Sequence, residues 1–538
     1  MKFSSLKRIK NFLSKKIFSL LHSKSFKHFG NKISIISPDI INGEEYISIE
    51  DKVIIQKDAW LLAYKQGEVE PILNIKENTH IGRYFHIVSL REVIIEKNVL
   101  IADKVYISDN IHQYNDISLP IKEQEILFKG TTSIGENSWI GENVSIIGAK
   151  IGKKLIKMEN FQIKYKNILI TGGAGFIGSN LSLKLIKKGY KVTVLDNLSP
   201  QIHEKYSPLY ESIKEKVNFI KGTVLSYDDW KKALKDIDVV VHLAAETGTG
   251  QSMYEIEKYT DVNIKGTSIF LDILANEEHS VKKMVIASSR SIYGEGKYEC
   301  PSCGIVYPNE RKDEDMSKAD FNVKCPICRE NAKLLATDET SKIHPSSVYG
   351  ITKQVQEQMF LTMGKSLNIP AVAFRYQNVY GAGQSLSNPY TGILSIFSTI
   401  IKNGNDISIF EDGKESRDFV YISDIVDATI LGIEKDEANY EIFNVGLGKP
   451  IDVMTVANTL VATYKSDTKI TITGNYRLGD IRDNYADLTK IKEKLGFEPK
   501  VSFEEGISRF TKWVEIQDVV EDKYEKSIEE MKEKGLYK

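Results

Sequence analysis

The 538-residue chain sets 72 Lys and Arg against 73 Asp and Glu, a formal net charge of -1, which gives no electrostatic reason to expect a nucleic-acid partner. With 41% hydrophobic and 27% charged residues it has the composition of a soluble globular protein of two or three domains, and no run of about 18 apolar residues predicts a membrane-spanning helix. Four cysteines in two close pairs exclude a disulfide framework and suit a metal site in a reducing, cytoplasmic compartment.

Residues 1–30 hold eight Lys or Arg and no acid. Ile9, Phe12, Leu13, Ile17, Leu20 and Leu21 recur there at helical spacing. Lys15 and Lys16 interrupt the apolar core that a signal peptide needs. Two readings stand: an ordinary first helix packed on the next domain, and a basic amphipathic helix touching a membrane surface.

From Asn74 to Gly152 the pattern has a period near six, marked by Ile75, Ile81-Gly82, Ile94, Leu100-Ile101-Ala102, Ile134-Gly135, Ile140-Gly141, Ile146 and Ile151-Gly152. An inward aliphatic residue followed by a small one at a tight corner predicts a left-handed parallel β-helix, with the first domain spanning residues 1–157. The segments Ser108–Tyr114, Pro120-Ile121 and Ile134–Val144 resemble the hexapeptide-repeat O-acetyltransferases. That resemblance implies a trimer with acetyl-CoA as donor and His112 as the base that deprotonates a sugar hydroxyl. After Gly152 the chain departs from that family, because the further coils that complete the coenzyme A groove are replaced by Lys153–Met158. An active acetyltransferase and a structural trimerisation module therefore stand side by side.

The second domain, residues 158–520, opens as a dinucleotide fold. Asn167–Ile170 reads as a buried strand, Thr171–Gly178 as a glycine turn, Ser179–Lys188 as a helix, and Lys191–Leu195 as a strand ending on Asp196. Glycines let backbone N–H groups approach a pyrophosphate at a helix N-terminus, and an acid about 20 residues on suits a ribose 2′-hydroxyl. Asp196 would repel a 2′-phosphate, which favours NAD over NADP.

The spacing Gly172-x-x-Gly175-x-x-Gly178, with Val239–Ala245 and Asn263, resembles the extended short-chain dehydrogenases/reductases. The resemblance assigns Gly172, Gly175, Phe176, Ile177, Asp196, Asn197, Leu243, Ala244, Ala245, Tyr349 and Lys353 to the cofactor. Thr223 stands where that family usually has an acid for the adenine amino group. The implied catalytic set is Ser289, Tyr349 and Lys353. A tyrosine and a lysine four residues apart share one helix face. The ammonium and oxidised nicotinamide are expected to lower the phenol pKa, while Ser289, with Ser291 assisting, holds the reacting oxygen. Asn378, Arg417 and Arg477 are implied substrate contacts, the two arginines converging on a pyrophosphate.

Nucleotide-sugar 4,6-dehydratases carry an Asp-Glu pair after the catalytic Ser or Thr. Arg290 and Ser291 stand there in this chain, which argues for epimerisation through a transient 4-ketone. Glu246–Tyr254, the cysteine segment and Gln384–Gly392 resemble the dTDP-L-rhamnose 4-epimerase group of nucleotide-sugar epimerases, which serve surface polysaccharides. A UDP-hexose 4-epimerase and a reductase with net NAD turnover are the alternative readings.

Cys300-x-x-Cys303 and Cys325-x-x-Cys328 form two knuckles inside an expected zinc-ribbon-like insert, residues 299–335. Four thiolates at this spacing point to a closed structural zinc site, with free or disulfide-linked cysteines as the alternative. Residues 521–538 are expected as a charged tail that ends as a solvated helix. The resemblances imply a homo-oligomer, dimeric through the epimerase domain and trimeric through the β-helix.

Overall fold

The computed structural model describes residues 18–113, 119–152, 164–203, 208–388, 390, 392–522 and 524–538. The chain divides into two compact units, Met1–Gln162 and Ile163–Lys538.

In the first unit short parallel strands recur in threes and build three sheets. One runs from His28–Phe29 through Ile47–Ile49, Ile72–Ile75, Glu92–Ile95 and Thr132–Ile134 to Lys150–Ile151; the other two hold five strands each. This pattern is compatible with a β-helix. Ile47, Ile49, Leu73, Ile75, Val93, Ile95 and Ile134 are buried inside it. The strands begin well before Asn74. Sequence reading missed the early turns because they lack the Ile-Gly mark, although Ile35, Val53, Ile55 and Leu61 fill the interior equally well.

The corners differ from expectation. The small residues at Gly82 and Gly30 allow close approach of the next turn, but the left-handed backbone falls elsewhere, on Lys52, Asn78, Asn98 and Asn137 at one corner and on Asp58, Tyr84, Lys104 and Asn143 at another. Asparagine tolerates this conformation through local side-chain hydrogen bonds. Here those bonds form a ladder: Asn78 Nδ2 donates to Asn98 Oδ1 at 2.8 Å and Asn98 Nδ2 to Asn137 Oδ1 at 3.1 Å.

Of the amphipathic segment in residues 1–30, Ile9, Phe12, Leu13 and Ile17 lie outside the described residues. Leu20 and Leu21 are exposed, whereas Phe26 is buried against the strand core. No described helix is long and apolar enough to cross a membrane.

The second unit is organised by a seven-stranded parallel sheet. Its strands are β1 (Asn167–Thr171), β2 (Lys191–Asp196), β3 (Asn218–Lys221), β4 (Val239–His242), β5 (Lys283–Ser289), β6 (Ala371–Tyr376) and β7 (Ile442–Val445). Their order, 3-2-1-4-5-6-7, is that of a Rossmann-like sheet. Three helices matter for the site: α1 (Phe176–Lys187), α2 (Gly266–Asn276) and α3 (Val348–Ser366). Apart from β3 at the sheet edge, the strands are largely buried, as apolar runs covered on both faces must be.

The cysteine segment folds as a three-stranded antiparallel sheet of Tyr298–Cys300, Gly304–Val306 and Lys333–Leu334. The charged stretch between the knuckles holds a short helix, Asp313–Met316, and packs Met316 and Phe321 on Tyr476.

The C-terminus forms the expected helix, but it is packed where a solvated one was expected. Tyr524–Glu533 is a helix with Ser527 and Met531 buried, and the chain then pairs back on the Arg477 segment. Tyr476 N–H donates to Lys538 O at 2.9 Å, Lys538 N–H returns the bond at 3.0 Å, and Leu478 N–H donates to Leu536 O at 3.0 Å. Charge density misled the sequence reading, because the charged side chains flank a backbone that has pairing partners.

Candidate active site

The glycine turn connects β1 to α1. Gly172 adopts φ +66°, and a Cβ there would lie 2.8 Å from Ala244 N. A Cβ at Gly178 would lie 2.4 Å from Gly172 O, so that glycine lets the helix seat against the turn. Gly175 caps α1 without a side chain, leaving the first N–H groups of the helix to a ligand. Asp196 ends β2 in buried surroundings. Its carboxylate accepts from Ala174 N–H at 3.0 Å and Leu198 N–H at 2.9 Å, which fixes it beside the turn.

These residues line one cavity of about 1540 Å³. Gly172, Gly175, Phe176, Ile177, Asp196, Asn197, Leu243, Ala244, Ala245, Ser289, Tyr349 and Lys353 all contribute to its wall. The strand ends and glycine turn therefore bring the expected cofactor residues together with the expected catalytic residues.

Ser289 is the last residue of β5. Its Oγ accepts from Ser291 N–H at 3.2 Å and from Ser291 Oγ–H at 2.9 Å. Ser291 thus acts on Ser289 and is not part of the cavity wall. Ser347 caps α3, accepting from Gly350 N–H at 3.1 Å, which places Tyr349 and Lys353 in its first turns. A Cβ at Gly350 would lie 2.7 Å from Ser291 O, so this glycine allows α3 to approach the end of β5. Tyr349 N–H is held by Ser252 Oγ at 3.0 Å. Asn263 lies in a π-helical stretch, Thr260–Lys265, and braces the same helix by donating to Thr352 Oγ1 at 2.9 Å.

The electrostatics differ from expectation. Burial raises the Tyr349 phenol above its ordinary value; hydrogen bonding from Ser289 and the charge of Arg290 pull it back. Lys353 is itself lowered to about 7 by burial, with Glu357 opposing, and its ammonium donates to Gln356 Oε1 at 2.8 Å. The charge that favours the phenolate is therefore that of Arg290, where the sequence reading expected Lys353. Sequence reading had registered Arg290 only as a missing acid.

Arg290 is lowered to about 9 by burial and by Arg417 nearby. Its Nε donates to Asn378 Oδ1 at 2.8 Å. Arg417 and Arg477 do converge, but on a side chain of their own unit: Asp480 lies 3.4 Å from Arg417 and 3.0 Å from Arg477. Clustered guanidinium groups need a counter-charge, and Asp480 supplies it. Burial favours the neutral Asp480, but Arg477, Arg417, Arg311 and Arg290 outweigh it and hold its carboxyl below the ordinary range. Neither arginine, nor Asn378, is among the residues lining the cavity.

Behind Arg417 lies a buried charge network that pattern reading did not find. Arg311, from the cysteine insert, forks onto Glu411 at 2.6 and 2.8 Å and donates to Asp480 O at 3.0 Å. Arg482 donates to Glu411 at 2.8 Å. Arg417 donates to Arg482 O and Ile481 O, both at 2.8 Å. Buried ionic side chains this far apart in sequence leave no local signature.

The cysteine side chains also gather. All four Sγ atoms lie within 4.8 Å of one another, with Cys300 and Cys328 3.4 Å apart. In the first unit His112 ends the strand Asn110–His112, which pairs antiparallel with Ile126–Phe128 as an arm off the parallel strands. His112 is exposed. The arm is rooted by Asp109, whose carboxylate accepts from Leu90, Arg91 and Glu92 N–H groups at 2.7–2.8 Å.

Comparison with known proteins covers the second unit. The NAD dependent epimerase/dehydratase family matches residues 168–313 and 329–446, with the intervening break inside the cysteine insert. A dTDP-L-rhamnose 4-epimerase of Burkholderia thailandensis is 34% identical over 352 residues, covering 65% of this chain and 95% of its own. The crystal structure of a UDP-glucose 4-epimerase from Thermotoga maritima with UDP-glucose aligns with a TM-score of 0.54 at 30% identity, over 65% of this chain and 98% of that one. A UDP-glucuronic acid 4-epimerase from Bacillus cereus, in complex with UDP-glucuronic acid and NAD, aligns at 0.52 and 25% identity, over 65% and 99%. The glycine turn, Asp196, the Ser289–Tyr349–Lys353 set and these similarities together place the chain in the NAD dependent epimerase/dehydratase family.

Proposed function

We propose that the protein is an NAD-dependent nucleotide-sugar 4-epimerase acting on dTDP-L-rhamnose and forming dTDP-6-deoxy-L-talose. The observation that carries this reading is the cavity in which Ser289 and Tyr349 stand beside the Gly172–Gly178 cradle, with a cation, Arg290, where dehydratases carry an acid. The cradle fits the cofactor: a Cβ at Gly172 would collide with Ala244, and Asp196 stands at the strand end for a ribose. NAD, when bound, would supply the acceptor and donor of hydride at the sugar C4. Tyr349 takes the C4 hydroxyl proton and later returns it. Ser289 hydrogen-bonds that oxygen, and Ser291 holds Ser289 in place. With no carboxylate after Ser289, nothing there expels water, so the ketone is reduced again from its other face. Arg417 and Arg477 gather on Asp480, and Arg290 holds Asn378 beside them, which makes this cluster the candidate contact for the pyrophosphate.

Purified protein incubated with dTDP-L-rhamnose, without added NAD, should yield a 6-deoxy-talose product. Absence of that product, with turnover of UDP-glucose in a parallel incubation, would move the assignment to a UDP-hexose 4-epimerase. Net NADH accumulation would indicate a dehydrogenase or reductase instead.

The cysteine set fits structural zinc. A tetrahedral site with bonds of about 2.3 Å sets sulfurs roughly 3.8 Å apart, which the observed cluster accommodates. Four protein thiolates leave no open position, so this site takes no part in the chemistry. One zinc per chain, lost in Cys300→Ser, is the expected metal analysis.

For the first unit we favour a left-handed β-helix that serves as an oligomerisation scaffold, over acetyl transfer from acetyl-CoA. After the His112 arm, the described residues of the unit hold one further set of three strands and the single strand Lys150–Ile151, little surface for a coenzyme groove. Acetyl-CoA turnover abolished by His112→Ala would overturn this. The epimerase unit then makes its own dimer contact, and solution scattering of the whole protein reads the assembly.

A further inference from the structure

Gln377 follows β6 directly. Its backbone is pinned to the sheet, N–H to Val445 O at 2.9 Å. Its side chain is only 5% exposed and lines the cavity that holds Ser289, Tyr349 and Lys353. Yet both amide atoms, Nε2 and Oε1, are buried with no hydrogen-bond partner among the described residues. The neighbours on each side are paired: Tyr376 hydroxyl with Thr429 at 2.6 Å, and Asn378 with Arg290. Gly446 makes room for the stem, since a Cβ there would lie 2.8 Å from Gln377 Cγ.

A buried amide with neither donor nor acceptor satisfied costs stability, and folded proteins keep few of them. In a ligand cavity the missing partner is a ligand group. Strand order indicates which ligand. Gln377 leaves β6, which neighbours β5 and its Ser289, whereas the glycine cradle and Asp196 belong to β1 and β2 farther along the sheet. The next residue, Asn378, touches Arg290 of the arginine cluster.

We propose that Gln377 binds the sugar ring of the substrate, its amide pairing with a ring hydroxyl or carbonyl beside Ser289. This rests on the nucleotide-sugar reading above. An amide suits that place because it can donate to a ketone and accept from a hydroxyl. It therefore stays paired whether the neighbouring carbon is oxidised or reduced.

The test uses the full-length protein with its bound NAD, as wild type, Gln377→Met and Gln377→Glu. The readouts are melting temperature, NAD content, and affinity for dTDP-L-rhamnose, UDP-glucose and dTDP. Removing an unsatisfied amide should leave the melting temperature of Gln377→Met unchanged or raised in the absence of nucleotide sugar. Its affinity for the nucleotide sugar that wild type binds should fall about tenfold, the worth of one good hydrogen bond, with dTDP affinity and NAD content unchanged. Gln377→Glu, which keeps an acceptor, should retain part of that affinity. Equal sugar affinity in wild type and Gln377→Met would overturn the proposal while leaving the function standing. So would a lowered melting temperature with unchanged sugar affinity, which marks a structural amide, or a loss of NAD, which marks a cofactor contact. Failure of wild type to bind either nucleotide sugar would overturn the functional reading and this inference together.

Discussion

On the cofactor side of the cavity, Gly172, Gly175, Gly178 and Asp196 come from one continuous strand, turn, helix and strand, residues 167–196. On the side of Arg417, the parts come from four remote segments: Arg290 and Arg311 around the cysteine insert, Glu411 and Arg417, Arg477 to Arg482, and the last residues of the chain. The first region is shaped by backbone, where glycines allow close approach and N–H groups face the ligand. The second is held by buried charge, where Arg311 and Arg482 share Glu411 and Arg417 and Arg477 share Asp480. A backbone-built region should fail through loss of cofactor. A charge-built region should fail through substrate affinity, with the chemical step little changed.

The largest effect is expected where the two regions meet. Tyr349→Phe should lower kcat by about 10³-fold, within the range for losing a positioned proton-transfer group. NAD content and KM should stay near wild type, since the ring remains in place. Loss of bound NAD in this variant would mean that the tyrosine belongs to the cofactor side.

Lys353→Met separates the same regions through pH. The Lys353 ammonium is lowered from 10.5 to about 7 by burial. Between those values the unfolded chain holds a proton that the folded protein lacks, so this group makes stability rise with pH across the window. Below about pH 7 its full penalty applies. Lys353→Met should therefore melt higher than wild type near pH 7, and the gap should close as pH approaches 10. Its kcat should fall by about 10²-fold. A constant gap in melting temperature across that window would show that Lys353 does not titrate as its surroundings imply.

The same contrast explains what could be read in the sequence. The glycine spacing and Asp196 are dictated by local geometry, so a short pattern carries them. Ser289, Tyr349 and Lys353 were legible because a strand end and one helix face bring them together at fixed spacing. Arg311 was not, because its partner Glu411 is a hundred positions away and neither sits in a motif. Arg417 and Arg477 were singled out as ligand contacts, but Asp480, on which both converge, was not, since pattern reading assigns ligands and overlooks counter-ions. Gln377, next to the expected contact Asn378, was passed over; only its unsatisfied amide in the folded protein marks it.

Arg311 tests the charge-built side directly. Arg311→Met leaves Glu411 with Arg482 and removes the donor to Asp480 O, so the segment bearing Arg417 contacts should loosen. KM for the nucleotide sugar should rise about tenfold, with kcat changed less than about threefold and NAD content unchanged. Removing one partner of a buried pair also destabilises by about 3–5 kcal/mol, so Arg311→Lys provides a folded companion with a smaller KM shift. A fall in kcat at constant KM would break the proposed division between the two regions.

The smallest effect is expected at the chain end. Leu536 and Lys538 pair with Leu478 and Tyr476 on either side of Arg477, and the Lys538 ammonium meets Asp313 of the insert. Deleting residues 536–538 removes backbone bonds at a partly exposed edge, each worth about 1 kcal/mol, while the Arg477–Asp480 pair at 3.0 Å remains. KM should rise only about two- to fivefold, and the loss of rate should vanish as nucleotide-sugar concentration saturates the site, because the proposed proton-transfer set, Tyr349 and Ser289, is untouched. Combined with Arg311→Met, the deletion should give less than the product of the two separate effects, since both act on the segment from Arg477 to Arg482. Full additivity would mean that the insert and the chain end support the sugar side independently, and that Asp480 does not couple them.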